Sequence, residues 1–408
     1  MKPTLILAIL VTLAPAAQSA APGPEIVLPA SPRPAHDPHV AFGDGRHLVV
    51  WQSGRAEHGD IYACRLGADG RALDGRAFAV SNATEDQGRP RVAAGGEQWL
   101  VVWADLRNGK DYDVYAARVS GDGKVLDAEG ILVAGGADNQ CRPDVAWNGQ
   151  VWLVIWRAWE KGVAKKHSAR YGARGARISP EGRVLDTKPL AIGRGSVTEP
   201  RVASAGGNWM VAWADKGACT ATVTAQGKIT HALAVRNKGM DNVRAPVTIA
   251  SNRKDGYLIS WRNGTTGGRS GTVHGMPYGA VRVDSTGKAL GQTQLGGKEV
   301  AIEFPCAAWD GKGYAIVHFL GGRQRDRNRG RWVGYYNKVA VHLVSADGEY
   351  EGKVPVASTV GDDTKTALSP PYAPAGCGDG KGGTLVVYEK HPAKAGETSV
   401  IAARLVKR

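Results

Sequence analysis

The stretch Pro90-Arg-Val-Ala-Ala-Gly-Gly-Glu-Gln-Trp-Leu-Val-Val-Trp103 recurs along the chain. It matches Pro143-Asp-Val-Ala-Trp-Asn-Gly-Gln-Val-Trp-Leu-Val-Ile-Trp156, Pro200-Arg-Val-Ala-Ser-Ala-Gly-Gly-Asn-Trp-Met-Val-Ala-Trp213 and Pro38-His-Val-Ala-Phe-Gly-Asp-Gly-Arg-His-Leu-Val-Val-Trp51. In every copy the proline and the last tryptophan stand thirteen positions apart. Further along, Ala117-Arg-Val-Ser-Gly-Asp-Gly-Lys-Val-Leu-Asp127 matches Ala176-Arg-Ile-Ser-Pro-Glu-Gly-Arg-Val-Leu-Asp186. Weaker copies begin at Pro246, Pro305 and Pro371. The seven starts lie 46 to 66 residues apart, and recurrence at such a spacing marks a repeat architecture.

Each unit reads as four short strands. Val92 to Ala94 follows the proline, and a glycine-rich turn leads to Trp99-Leu-Val-Val-Trp103. A variable loop leads to Asp113-Val-Tyr-Ala-Ala-Arg-Val119, and the Asp122-Gly123 turn leads to Ile131-Leu-Val-Ala134. Asp-Gly between apolar runs is a strong hairpin signal because both positions accept φ > 0. Trp99, Val101 and Trp103 alternate with Leu100 and Val102, so both faces of that strand are apolar and need cover. Four-stranded units arranged radially meet that need, which predicts an all-β, seven-bladed β-propeller with blade starts near 38, 90, 143, 200, 246, 305 and 371. The last repeat ends on its third strand, Val400 to Val406, and Glu25-Ile-Val-Leu-Pro29 is available as its fourth. Closure by both ends of the chain would remove open sheet edges.

The 408 residues include 55 Gly and 12 Trp but only 4 Phe, and the formal charge is +14. Such a composition fits neither a disordered tail nor a multi-span membrane protein. Residues 1–20 read as a signal peptide, with Lys2, an apolar run from Leu5 to Leu13, and Ala17-Gln18-Ser19-Ala20 as the cleavage site. Residues 21–408 then form one propeller domain, exported to the periplasm or beyond, with no transmembrane segment. Cys64, Cys141, Cys219, Cys306 and Cys377 lie far apart, which suits separate buried thiols better than disulfides or zinc ligation.

The Leu-Val-Val-Trp, Asp-Val-Tyr-Ala-Ala-Arg-Val and Asp-Gly sequence of each unit resembles the propeller repeats of secreted and periplasmic bacterial proteins. It is distantly similar to sialidase-like and BNR-type propellers. The Ser-x-Asp-x-Gly-x-Thr-Trp box of those proteins is absent, and simple hairpin turns such as Gly121-Asp-Gly123 and Ala346-Asp-Gly348 take its place. The resemblance therefore implies architecture and argues against sialidase activity.

A propeller gathers on one face the loops entering each first strand and those joining second to third strands. The residues flanking the repeat prolines are thus the candidates: Asp37, His39, Arg89, Arg91, Arg142, Asp144, Glu199, Arg201, Arg244, Glu303 and Tyr372. Arginines interspersed with carboxylates either bind a carboxylate- or sulfate-bearing ligand or tie neighbouring blades together. Asp105-x-Arg107, with Asp113, reads as a structural salt bridge. His36-Asp-Pro-His39 holds the one close histidine pair, and no metal or cofactor motif accompanies it.

Three second-to-third-strand loops are enlarged: Arg157 to Arg170, Arg262 to Gly275, and Gly321 to Tyr336. The last alternates Arg323, Arg325, Arg327, Arg329 and Arg331, which an extended segment would align on one side. Ten tryptophans fall at repeat-equivalent positions and read as core. Trp159 and Trp332 lie outside the repeat, each in a basic loop, where an aromatic beside arginines suits sugar stacking with anion binding.

These features predict a monomeric binding protein for an acidic polysaccharide or another polyanion. An alternative is a carbohydrate-active enzyme. A glycosidase would draw its carboxyl pair from Asp37, Glu199 and Glu303. A polysaccharide lyase would draw on His39, His274 or Tyr372 beside Arg142. Nucleic-acid binding fits the charge but not export, and a purely structural docking ring is a further reading.

Overall fold

The computed structural model describes residues 20–54, 58–159, 171–194, 197–215, 218–235, 247–262, 278–295, 302–325, 332–360, 374–390 and 398–408. They form seven antiparallel sheets in a ring, so the chain is a seven-bladed β-propeller. Blade one comprises Ala35–Gly43, Arg46–Ser53, Asp60–Gly67 and Phe78–Ser81, and blade two comprises Gln87–Gly95, Gln98–Asp105, Asp113–Ser120 and Ile131–Ala134. Blade three follows with Gln140–Trp147, Trp152–Trp159, Tyr171–Ile178 and Leu190–Gly193. Blade four has Arg201–Ala205, Asn208–Ala214, Ala218–Val223 and Ile229–Val235. Blade five has Thr248–Ser251, Gly256–Arg262, Tyr278–Asp284 and Ala289–Leu295. Blade six has Ile302–Trp309, Gly313–Arg325, Trp332–Ser345 and Tyr350–Val360. Blade seven contributes Ala375–Gly378, Gly383–Lys390 and Val400–Lys407, and the N-terminal segment completes it as expected: Ile26 pairs Ala403 and Ala21 pairs Lys407. No helix among the described residues is long and apolar enough to cross a membrane. The signal segment expected at the N-terminus lies outside the described residues, Ala20 apart.

The core is divided into seven layers, one between each pair of adjacent blades. Trp99, Val101 and Trp103 pack with Leu48 and Val50 of blade one, while Leu100 and Val102 pack with Trp152, Val154 and Trp156 of blade three. This arrangement explains why the second strands are apolar on both faces. Trp209 and Trp213 likewise face blade three, and Trp261 faces blade four.

One repeat-wide contact ties the ring from outside. Arg65, Arg118 and Arg177 each hold an aspartate nine residues on (Asp74, Asp127 and Asp186) at 2.6, 2.8 and 2.7 Å. The remaining guanidinium nitrogen of each donates to a turn of the next blade, at the carbonyls of Gly121, Pro180 and Ala225.

Two expectations need correction. First strands in blades one, two, three and six begin three residues before the repeat proline, because the ladder continues across a bulge that loops the proline out. Proline has no N–H to lose there. In blade six, much of the segment read as a basic loop is strand, with Arg323 opposite Tyr335 and Arg325 opposite Trp332.

Candidate functional site

The bulges set up the channel mouth. Asp37, Arg89 and Arg142 precede the repeat prolines of blades one to three and share a left-handed backbone, with φ of 48°, 56° and 53°. A non-glycine residue before proline does not choose that conformation; the flanking ladder imposes it. Such enforced geometry at equivalent positions marks a place where side-chain direction matters.

Just inside the bulges, one equivalent position per blade forms a polar ring: His39, Arg91, Asp144, Arg201, Thr248, Cys306 and Ala375. Several of its members are latches between blades. His39 Nδ1 accepts the Val92 amide at 3.3 Å, Asp144 Oδ2 accepts the Val202 amide at 2.9 Å, and Thr248 Oγ1 accepts the Ala307 amide at 2.9 Å. Burial lowers the His39 imidazole well below its ordinary range, and Arg91 and Arg201 add to the effect. Burial raises the Asp144 carboxyl against the pull of the same two arginines. His36, the other member of the histidine pair, is buried against Glu389 at 2.8 Å and joins blade one to blade seven.

Above the ring the charges converge. Glu199 contacts Arg142 of the neighbouring blade and Arg201 at 3.1 Å, while Asp37 lies 3.5 Å from Arg91. Burial, with Arg89, Arg157 and Arg201 nearby, pushes the Arg142 guanidinium down to about 9 even with Glu199 against it. A guanidinium hardly ever gives up its proton, so the cluster holds several like charges close together. Beside it, the Arg157 guanidinium lies over the Tyr171 ring at 3.9 Å, and Trp159 meets Tyr171 edge-on at 5.2 Å. Trp159 is 39% exposed. Because Arg157 pairs with Cys141 in the ladder, the aromatic platform adjoins Arg142 directly.

The structure thus brings together Asp37, Arg89, Arg142, Glu199, Arg201 and Trp159, and sets His39 into the ring beneath them. Arg244, His274, Tyr372, Arg327, Arg329 and Arg331 lie outside the described residues. Glu303, Arg323, Arg325 and Trp332 are on blade six strands, but their side chains lie outside the described ones. Asp105 and Arg107 pair at 2.7 Å, Asp105 also accepts the Trp103 indole N–H, and Arg107 stacks on Tyr115, a structural arrangement. Asp113 lies opposite Asp105 in the ladder and accepts from Asn108 rather than from Arg107. The cysteines are free, and burial pushes the Cys64 thiol up to about 12. The Arg157–Tyr171 platform was missed in the sequence, since Tyr171 lies beyond the variable loop with no spacing to connect them.

No protein-family model and no curated protein matches the chain in sequence. Among solved structures, a protein of unknown function from Dyadobacter fermentans DSM 18053 is 10% identical at a TM-score of 0.47, covering 96% of this chain and 100% of that one. A thermostable family-43 glycoside hydrolase is 9% identical at 0.41, covering 84% and 99%. The hemagglutinin-neuraminidase ectodomain of parainfluenza virus 5 is 9% identical at 0.40, covering 82% and 83%. Likeness at this level says nothing of activity, and the fold rests on the chain's own strand order.

Proposed function

We propose that this chain is an exported propeller that binds an anionic ligand, an acidic glycan, at the arginine-bearing mouth of blades two to four. The observation that carries it is the convergence of Arg89, Arg157 and Arg201 on Arg142, a cluster of cations that Glu199 contacts. Guanidinium groups present paired donors that match a uronate carboxylate or a sulfate. The exposed Trp159, braced by Tyr171, offers a face for a sugar ring next to those donors.

Hydrolysis is the second reading, and the same contacts weigh against it. Asp37 and Glu199 are each engaged by an arginine of a neighbouring blade, so both are committed to ion pairs. The deciding experiment is retention on immobilised alginate, pectate and heparin against neutral dextran, with the eluate assayed for unsaturated or newly reducing ends. Salt-sensitive retention without product supports the proposal. Equal retention on dextran overturns it, and product release replaces it with the enzymatic reading.

A further inference from the structure

Below the polar ring the axial channel continues towards the face of the first-to-second-strand turns, opposite the arginine mouth. It encloses about 560 Å³. Its wall follows from the repeat. One residue past the polar ring stands valine in blades one to four, and one further on stands alanine in blades one to six, namely Ala41, Ala93, Ala146, Ala203, Ala250 and Ala308, with Cys377 in blade seven. Small side chains at this level keep the shaft open. The next position carries Phe42, Trp147 and Trp309 in blades one, three and six. Sequence position alone assigns Trp147 and Trp309 to the core. Both are only half-buried, Trp147 tilted against Trp152 at 4.6 Å and Trp309 edge-on to Tyr314 at 4.8 Å, and both line the channel.

The channel is therefore layered: guanidiniums at one end, an apolar shaft, and an aromatic rim at the other. The rim lies three positions along the strand from the ring, roughly 10 Å. At the ring Arg91 and Arg201 line the channel beside Asp144, whose Oδ2 is engaged by the Val202 amide, while from the mouth side Asp37 lies 3.5 Å from Arg91 and Glu199 3.1 Å from Arg201. Neither guanidinium reaches bulk water freely, with side chains 10% and 14% exposed.

We propose that this channel is a second ligand site, taking a carboxylate on a slender apolar body, with the charge at Arg91 and Arg201 and the body passing the alanine collar to Trp147 and Trp309. Each guanidinium carries five N–H donors, more than its ion pair engages, so a carboxylate entering along the channel finds donors there, and the dry wall strengthens that attraction. The shaft selects by width at the collar, where six of the seven blades carry alanine. This site shares Arg201 with the arginine mouth above it, but its apolar part opens towards the opposite face and takes a different class of ligand from the glycan proposed for the mouth.

Titration calorimetry with octanoate, 1-octanol and octylamine, followed also by tryptophan fluorescence, tests this. Octanoate is expected to bind at least tenfold more tightly than either analogue and to perturb the emission. Ala250→Leu, which narrows the collar, should abolish that binding, and Trp147→Ser should weaken it several-fold. Equal affinity for octanoate and octanol would remove the guanidinium seat and overturn the proposal. So would undiminished octanoate binding to folded Ala250→Leu. Should that variant fail to fold, Trp147→Ser decides: unchanged octanoate affinity there places the ligand elsewhere.

Discussion

Arg118 holds Asp127 of its own hairpin through two parallel hydrogen bonds, each 2.8 Å, while its third nitrogen reaches the Pro180 carbonyl of the next blade. One side chain thus fixes a turn and a blade interface together. Burial favours the neutral Asp127 carboxyl, yet hydrogen bonds from Arg118 outweigh it and hold the group below its ordinary value. Replacing Arg118 with Met should cost about 2 kcal/mol, because Asp127 and the Pro180 carbonyl lose their charged donor. Chemical denaturation would show this, with Asp127→Asn costing less. Because the folded carboxyl is depressed, its contribution is complete above the unfolded value and fades as pH falls through the folded one. Asp127→Asn should therefore flatten part of the loss of stability below about pH 4.

Charge convergence at Arg142 predicts a specific anion effect. Sulfate should raise the melting temperature more than chloride at matched ionic strength, since only a divalent oxyanion bridges several guanidiniums. Arg142→Gln should remove the difference. It should also weaken acidic-polysaccharide retention about tenfold or more and make the remainder less sensitive to salt. A sulfate effect that survives in Arg142→Gln would place the anion elsewhere.

What could be read from the sequence was what the repeat states in every blade. The proline, the tryptophan pair and the Asp-Gly turn recur because each blade must bury two faces and turn twice, so fold and strand order followed. The left-handed φ at Arg89 could not be read, because local preference before proline opposes it and only the ladder on both sides enforces it. The Arg118–Asp127 latch was printed in the aligned segments, yet its cross-blade reach depends on where the next turn stands. Trp147 shows the converse failure. A repeat-equivalent position signals core only when the first strand lies away from open space, and here that strand walls the channel.

Trp159 is the aromatic whose removal should separate binding from stability. It is 39% exposed and meets Tyr171 edge-on. Trp159→Ala should leave the melting temperature within about a degree, as surface changes usually do. Its loss should weaken an acidic oligosaccharide roughly three- to tenfold, the scale of one aromatic contact. Calorimetric titration of matched sulfated and uronate oligosaccharides would measure it. Unchanged affinity for both would mean that the anion is held without sugar stacking.

His39 makes a prediction about acid. Its imidazole is buried among cations and accepts the Val92 amide through Nδ1, so the folded protein keeps it neutral. In the unfolded chain it gains a proton near pH 6.5. Below that value the unfolded state binds more protons than the folded one, and the stability conferred by the neutral ring is progressively lost. His318, also buried and lowered well below its ordinary range, acts with the same sign. The melting temperature should therefore fall between pH 7.5 and 5.5, well above the carboxylate range in which Asp127 acts. The unfolding free energy should lose up to about 1.4 kcal/mol per pH unit for each such histidine. His39→Asn keeps an oxygen acceptor for the Val92 amide without a titrating ring, so its profile should be shallower over that interval. A variant profile parallel to that of the parent would show that His39 is protonated in the folded state after all. The latch at Val92 would then have to be made by another acceptor.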